Sequence, residues 1–255
     1  RIDGTEHDLR ILATDNTIVD GVGMGLDDQN IEQVATMTQS GNAFSINLIR
    51  SLAGQDSGRV NPTPTQIVTG QDDVSEGAIK VADLNSDGFD DLIIATPQAS
   101  LLTYVENGRV DIYYGSSSGV ADIPDMILAG ESNGSHFGTG LDTGDFNHDG
   151  IQDLAVGLPG WNPTNDSNLT HGQVHVYLGN STGISAMPWW SVSGSNGEGL
   201  GSYLAALVHD GQADMLAASA NGHVFVSGTS TIYGKVNVYD GGEFNLSSQR
   251  NLTAS

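Results

Sequence analysis

Residues 137–159 read FGTGLDTGDFNHDGIQDLAVGLP and contain a short acidic loop followed at once by an apolar run. Counted from Asp145, oxygen-bearing side chains stand at positions one, three, five and nine, and a glycine stands at position six. These residues are Asp145, Asn147, Asp149, Asp153 and Gly150. The run Leu154, Ala155, Val156 is short and apolar, which predicts a buried strand directly after the loop.

The same unit recurs 62 residues earlier in the chain, as Asp83, Asn85, Asp87, Gly88 and Asp91. A second marker, a glycine before a strand-like run, recurs at Gly108, Gly172 and Gly234 with spacings of 64 and 62 residues. A period near sixty with about four short strands is typical of β-propeller blades. One small sheet cannot bury both of its faces alone, so neighbouring blades must stack on it.

The sequence therefore predicts an all-β fold, with one β-propeller domain or segment over residues 1–255 and about four four-stranded blades. The predicted blades are 15–66, 67–126, 127–188 and 189–244. Residues 1–14 are similar to the strand after the second blade's loop and are expected to be a strand of a preceding blade, with chance similarity as the alternative. The 34 glycines agree with a turn-rich β protein.

The two complete loops predict Ca²⁺ sites, because Ca²⁺ takes six to eight oxygen ligands. Asp83, Asn85, Asp87 and Asp91 would bind one ion, and Asp145, Asn147, Asp149 and Asp153 the other. Position seven, Phe89 or Ile151, would add a main-chain carbonyl. The alternative is that these are ordinary Asp-Asn-Gly turns, but two loops share the same ligand positions one period apart.

The other two blades carry weaker loops. In the fourth, positions five and nine are read as Asp210 and Asp214, while Ala206 and Val208 replace the first two ligands, so we expect little or no metal binding there. The first blade has only Asp27, Asp28, Gln29 and Asn30, which is further still from the pattern.

Composition excludes several classes of function. The formal net charge is -23 with eight Lys plus Arg, too few cations to neutralise a nucleic acid backbone or to hold an anionic membrane surface. No stretch reaches the roughly 18 apolar residues that span a bilayer. The chain lacks cysteine, which excludes disulfides, a thiolate nucleophile and Cys-bound zinc.

Phe137-Gly138, the loop from Asp145 to Asp153, and Gly157-Leu158-Pro159 together resemble the FG-GAP repeat of integrin alpha-subunit β-propellers. The same repeat occurs in glycosylphosphatidylinositol-specific phospholipase D and in microbial surface proteins. The third blade resembles it strongly and the fourth moderately. The second has Ser75-Glu76 in place of Phe-Gly, and the first resembles it weakly.

The resemblance implies a Ca²⁺-stabilised propeller that acts outside the cell. The integrin type closes with seven blades, and this chain supplies about four. It is therefore expected to be a segment of a longer propeller or to have its edges capped, by another chain or by itself. A closed ring of four blades is the further alternative.

The resemblance also implies that partners bind opposite the Ca²⁺ loops. The acidic loop joins the first and second strands of a blade, so the next loop lies at the opposite end. In the third blade this loop begins Gly160-Trp161, and Trp161 is the first candidate for a partner contact, with capping of the blade core as its alternative.

The chain also contains candidate glycosylation sites and a serine-rich segment. Six N-x-S/T sequons are glycosylation candidates and mildly favour a secreted glycoprotein: Asn133, Asn165, Asn168, Asn180, Asn245 and Asn251. Residues 115–119, GSSSG, match a nucleophile elbow, but the following residues are not helical, so a hairpin turn is predicted.

The favoured interpretation is a non-enzymatic, extracellular or cell-surface Ca²⁺-binding propeller that serves in adhesion or as a structural part of a surface assembly. Its expected partners are proteins or other copies or segments of the assembly, with glycans as a further class, and not nucleic acid or the membrane interior. The alternatives are an accessory module of a secreted hydrolase such as a phospholipase D, and a carbohydrate-binding propeller.

Overall fold

A computed structural model gives the architecture of the chain. It describes the strands of 17–26, 32–40, 43–50 and 66–70 at the level of the backbone, and then residues 77–163, 170–208, 211–227, 230–242 and 246–252, with side chains outside 223–233 and 247–252. These residues form four four-stranded sheets, and no helix occurs among them. The all-β prediction is confirmed.

Each sheet is an antiparallel meander in which strands pair in chain order. The first contains β1 (Thr17–Leu26), β2 (Glu32–Ser40), β3 (Ala43–Arg50) and β4 (Gln66–Gly70). The second contains β5 (Ala78–Ala82), β6 (Asp91–Thr96), β7 (Arg109–Tyr113) and β8 (Met126–Ala129).

The third sheet contains β9 (Leu141–Gly144), β10 (Asp153–Leu158), β11 (Gln173–Tyr177) and β12 (Trp190–Ser193). The fourth contains β13 (Leu200–Leu207), β14 (Met215–Ser227), β15 (Ser230–Asp240) and β16 (Ser247–Leu252). We call these sheets the first to fourth blades. The predicted limits at 66, 126, 188 and 244 fall at or just before the last strand of each sheet. That strand is short and partly exposed in the second and third blades, so its apolar pattern is weak.

The first strands of consecutive blades contact one another in chain order, β1 with β5, β5 with β9, and β9 with β13. Asp142 on β9 shares in both of the later contacts. Its Oδ1 lies 3.1 Å from Nζ of Lys80 in the second blade, and its Oδ2 accepts a hydrogen bond of 2.7 Å from the Ala206 N–H in the fourth. One carboxylate thus joins three blades.

Apolar clusters lie between the second and third blades and between the third and fourth, so the third sheet buries side chains on both faces. On β10, Leu154, Val156 and Leu158 pack into the cluster shared with the second blade, which also contains Phe137. Ala155, from the same strand, faces the fourth blade and packs in a second cluster. The strand is buried at every residue, so it depends on both neighbours.

At the start of the third and fourth blades, Phe137-Gly138 and its counterpart Leu200-Gly201 place the blade against the preceding one. Phe137 is fully buried, and its backbone bridges to Gly108 in the second blade, as Leu200 bridges to Gly172 in the third. The glycine that follows, Gly138 or Gly201, has a φ near +98°, which a residue with a side chain rarely adopts. The motif is therefore a turn that brings main chain of one blade onto the next.

The outward face of β13 differs from the equivalent face of β9. Gly140, directly before β9, and Gly144, at its end, leave room for the fourth blade to approach closely. By strand register their equivalents are Tyr203 and Leu207, which are 72% and 39% exposed.

The described residues contain no helix long and apolar enough to cross a membrane.

The closest approach between blades yields a prediction. A Cβ at Gly157 would overlap the carbonyl oxygen of Gly201, so Gly157→Ala should lower the free energy of unfolding by about 1–3 kcal/mol through overpacking. Ala95 is the equivalent residue in the second blade, where the methyl group is accommodated in the core; Ala95→Gly should therefore also be destabilising, by about 1–2 kcal/mol. Urea unfolding of both variants measures this, and an unchanged free energy of unfolding in Gly157→Ala would contradict the steric explanation.

Candidate calcium loops

The loop of the third blade is folded by its own side chains. Oδ1 and Oδ2 of Asp145 accept hydrogen bonds from the N–H groups of Asp149 and Gly150, both at 3.0 Å. Oδ1 of Asn147 also accepts from the Asp149 N–H at 3.0 Å, and Oδ1 of Asp149 accepts from the Ile151 N–H at 2.9 Å. The side chains at positions one, three and five therefore converge on the same turn of backbone.

The second blade repeats this pattern bond for bond. Asp83 accepts from the N–H groups of Asp87 and Gly88, and Asp87 accepts from the Phe89 N–H. The sixth residue of each loop, Gly88 or Gly150, has φ of +87°. Two loops 62 residues apart thus have the same hydrogen bonds and backbone conformation. Unrelated Asp-Asn-Gly turns would not be expected to match so closely.

Position nine is buried at the base of each loop. Asp153 is fully buried, and its two oxygens accept 3.0 Å hydrogen bonds from the N–H groups of Phe146 and Gly179. Asp91 makes the equivalent bonds with Leu84 and Gly115, at 2.9 and 2.8 Å. Each carboxylate therefore ties the start of the loop to the turn that follows the third strand.

Burial changes the acidity of both groups. Desolvation raises the pKa of Asp153 from 3.8 to about 7, against the opposing effect of its two backbone hydrogen bonds. Burial raises the pKa of Asp91 to about 7 in the same way. A bound cation would favour the ionised form of each and reverse this shift.

The donor set fits a hard cation. Each loop offers three carboxylates, one amide oxygen and the carbonyl at position seven, all of them oxygens. Among the described residues no three His, Asp or Glu side chains already form a metal cage, so a cation would also need the Asn side chain and main-chain oxygen. The described ion pairs leave the loop carboxylates without a Lys or Arg counterion.

The fourth blade requires a correction. Asp153 lies opposite Gly144 at the start of β10, but the residue in the corresponding place, opposite Leu207, is Met215. The fourth loop is one residue shorter between these strand ends, so Asp214 is not at position nine. Asp210 and the first blade's 27–30 lie outside the described residues.

On the opposite face, Trp161 is half-buried and packs against the cluster between the second and third blades. Its ring meets His171 edge-on at 6.5 Å. Trp161 therefore caps the blade core, which was the alternative to a free contact residue. Trp190 likewise packs between blades, 5.0 Å from the ring of Tyr239.

The exposed apolar residues on that face were missed from the sequence. They lie in the β6–β7 loop (97–108), where Leu102, Tyr104 and Val105 are 89%, 36% and 61% exposed. Leu102 also has φ of +61°, which is unusual for leucine. An apolar run in a segment between two strands was the available signal.

This loop is held in place by hydrogen bonds. Asn107, which is 1% exposed, accepts from the Leu101 N–H at 2.8 Å and donates to the Gly130 carbonyl at 2.6 Å. The Val105 N–H donates to Oδ1 of Asn133 at 2.9 Å. The exposed side chains of Leu102, Tyr104 and Val105 therefore lie on a loop whose backbone is held by these hydrogen bonds.

Of the sequons, Asn133 and Asn180 are exposed in turns. Asn165, Asn168 and Asn245 lie outside the described residues, and Asn251 is described only as backbone in β16. In the GSSSG segment Oγ of Ser116 donates to the Gly119 carbonyl at 2.7 Å. This segment forms a turn, as predicted, and not a nucleophile elbow.

The raised pKa of Asp153 predicts a pH dependence in the presence of EDTA. Since its folded pKa of about 7 exceeds 3.8, the protonated side chain stabilises the fold at low pH, and this contribution is lost as pH rises through 7. His175, whose pKa burial lowers to about 4, contributes the opposite slope. The comparison is therefore between variants: Asp153→Asn should make the slope of unfolding free energy against pH more positive by up to one proton between pH 5 and 7.

Urea unfolding at a series of pH values gives this slope. Asp122→Asn, at an exposed turn residue, is the control and should leave it unchanged. An unaltered slope in Asp153→Asn would mean that Asp153 is ionised throughout this range.

The comparisons with known proteins agree with this geometry. The family model described as FG-GAP repeat matches residues 78–113 and 137–177. These ranges run from the first to the third strand of the second blade, and from Phe137 through the third strand of the third.

Related proteins fall into two groups. Phosphatidylinositol-glycan-specific phospholipase D of Mus musculus is 39% identical over 119 residues, which cover 44% of this chain and 14% of that protein. Integrin alpha-7 of Homo sapiens is 38% identical over 112 residues, 44% of this chain and 9% of the relative, and integrin alpha-PS3 of Drosophila melanogaster is 33% identical over 113 residues with the same coverage. The matches thus span a small part of each relative. The chain therefore contains FG-GAP repeats in its second and third blades, and these repeats indicate a β-propeller.

Proposed function

We propose that this chain is an extracellular Ca²⁺-binding propeller that has no catalytic role of its own and serves in adhesion or as a structural part of a surface assembly. The observation that carries the proposal is the pair of identical loops. Each gathers three carboxylates without a described counterion, and each is folded so that its side-chain oxygens face one turn of backbone. Ca²⁺ would supply the missing positive charge.

The extracellular location rests on the relatives, since integrin alpha subunits and this phospholipase D act outside the cell. Ca²⁺ is abundant there, and loops of modest affinity, with dissociation constants of about 0.1–1 mM, are occupied. The absence of cysteine is compatible with this compartment if bound metal supplies the stability that disulfides supply elsewhere.

A second candidate function is an accessory module of a secreted hydrolase. The relatives named phospholipase D favour it, although the matched region is only 14% of such a protein. The chemistry would then belong to another part of the molecule. A carbohydrate-binding propeller is less well supported, because Trp161 is half-buried and the exposed β6–β7 loop is mainly aliphatic.

The partner contact that we propose is the β6–β7 loop and not Trp161. Leu102 contributes almost no burial to the fold, and its left-handed conformation costs about 1–2 kcal/mol. An exposed apolar side chain on a strained backbone does not stabilise the fold, so binding to a partner is the better explanation for Leu102. The expected partner is a protein with an apolar pocket.

Metal binding predicts a coupled loss of affinity and stability. Asp149→Ala should abolish one of two Ca²⁺ sites and lower the melting temperature in Ca²⁺, because the ion binds only the folded loop. Calorimetric titration and melting curves with Ca²⁺ and with EDTA measure this. Asp122→Ala removes an equal charge from an exposed turn and should change neither result. Identical melting of the wild-type chain in Ca²⁺ and EDTA would refute the proposal.

The contact loop predicts an unusual gain of stability. Leu102→Asn should raise the free energy of unfolding by up to about 1 kcal/mol, because Asn tolerates the left-handed region and little burial is lost. Leu101→Asn, at the half-buried neighbour, should lower it. Urea unfolding distinguishes the two, and a clear destabilisation by Leu102→Asn would show that Leu102 serves the fold instead.

A further inference from the structure

The first two residues of the third blade's loop, Asp145 and Phe146, form hydrogen bonds with residues of the fourth blade. The Asp145 N–H donates to Oδ2 of Asp214 at 3.0 Å, and the Asp214 N–H donates to the Asp145 carbonyl at 2.9 Å. The Gly242 N–H donates to the carbonyl of the next residue, Phe146, at 3.0 Å. Three hydrogen bonds therefore cross the blade boundary onto the segment that carries the first predicted ligand.

The contact is a packed one. Asp214 is 8% exposed. Its Oδ2 lies beside Gly144, where a Cβ would come within 3.1 Å of it, and a Cβ on Gly241 would lie 2.7 Å from the Phe146 carbonyl oxygen. Small residues on both blades thus make room for Asp214 and for the fourth blade's turn.

The second blade's loop has only part of this support. A Cβ on Gly179 would lie 2.7 Å from the Leu84 carbonyl oxygen, as one on Gly241 would from that of Phe146, but no carboxylate takes the place of Asp214.

By strand register the third-blade residue equivalent to Asp214 is Gln152. Gln152 directly precedes Asp153, which pairs with the last residue of β9, just as Asp214 directly precedes Met215, which pairs with the last residue of β13. Among the described residues, the Gln152 side chain makes no hydrogen bond to Asp83. The two loops therefore have the same internal bonds but different surroundings.

We propose that Asp214 is a positioning residue for the Ca²⁺ site of the third blade, supplied in trans by the fourth. This rests on the proposed function. Asp214 fixes the backbone on both sides of the Asp145 Cα. This favours a cation by reducing the ordering of the loop that binding requires.

The consequence is thermodynamic linkage. If docking of the fourth blade orders Asp145 for Ca²⁺, then Ca²⁺ in the third blade must stabilise docking of the fourth by the same factor. Among the described residues the third blade makes no hydrogen bond of this kind to Asp83, so this linkage is not expected at the second blade's site. The two sites should therefore differ in affinity, with the third blade's site the tighter.

Calorimetric Ca²⁺ titrations of the full chain test this with one loop disabled at a time. In an Asp87→Ala background only the third blade's loop remains, and Asp214→Ala should weaken it about tenfold or more, the usual effect of losing such a supporting contact. In an Asp149→Ala background only the second blade's loop remains, and Asp214→Ala should leave its affinity unchanged. Gln152→Ala is the matched control and should alter neither site.

Equal weakening of both sites, or unchanged affinity of the third blade's site, would overturn the proposal. The wild-type titration separates this from failure of the proposed function. Two bound ions that are indifferent to Asp214→Ala refute the inference alone, whereas no binding at millimolar Ca²⁺ refutes both.

Amide hydrogen exchange in EDTA provides a readout that does not need the metal. Exchange at the Asp145 N–H should accelerate in Asp214→Ala and not in Gln152→Ala, and equal protection would count against the contact. Should Asp214→Ala fail to fold, Asp214→Asn replaces it in every measurement. Asn keeps the shape and one acceptor but not the charge, so the loss of affinity should be smaller but still confined to the third blade's site.

Discussion

The buried carboxylates of Asp91 and Asp153 are the points on which the second and third blades depend. Each accepts two backbone N–H groups from segments that are far apart in sequence, one in the acidic loop and one after the third strand. A buried N–H without an acceptor would cost about 1–3 kcal/mol, so the carboxylate holds together the end of the blade from which the loop projects. The predicted ligands at positions one, three and five are then arranged above a fixed base. Metal binding, as proposed, would therefore depend on the same contacts as folding.

The blades have little stability that is theirs alone. Leu154 and Ala155 are neighbours in sequence, yet they pack into different clusters, one with the second blade and one with the fourth. Asp142 adds polar contacts in both directions. Stability in such an array is approximately a sum of blade terms and nearest-neighbour terms. The contact of Asp214 with Asp145 extends this dependence to the acidic loops, since it ties the first predicted ligand of the third blade to the position of the fourth blade.

Much of this could be predicted from the sequence, because the information is local and periodic. The ligand positions, the central glycine and the apolar run after the loop recur one period apart, and the structure gives both loops the same bonds. The role of Asp214 could not be predicted in the same way. The fourth loop is one residue shorter, and only strand pairing reveals that Met215 occupies the place of Asp153. The sequence left the burial of Trp161 open between two alternatives and did not indicate the exposure of Leu102, because burial on a loop depends on which neighbouring blade covers it.

The contact between Gly157 and Gly201 is one of main chain with main chain. This contact requires that Gly157 has no side chain, but it does not constrain the types of the neighbouring side chains. An interface specified in this way tolerates wide divergence elsewhere, which agrees with relatives that keep the repeat at 33–39% identity. It also makes blades exchangeable in principle, since any blade with small residues at these two points presents the same docking edge. The blade interface thus depends on a few glycines, and the loops between the strands can vary in sequence without disturbing it.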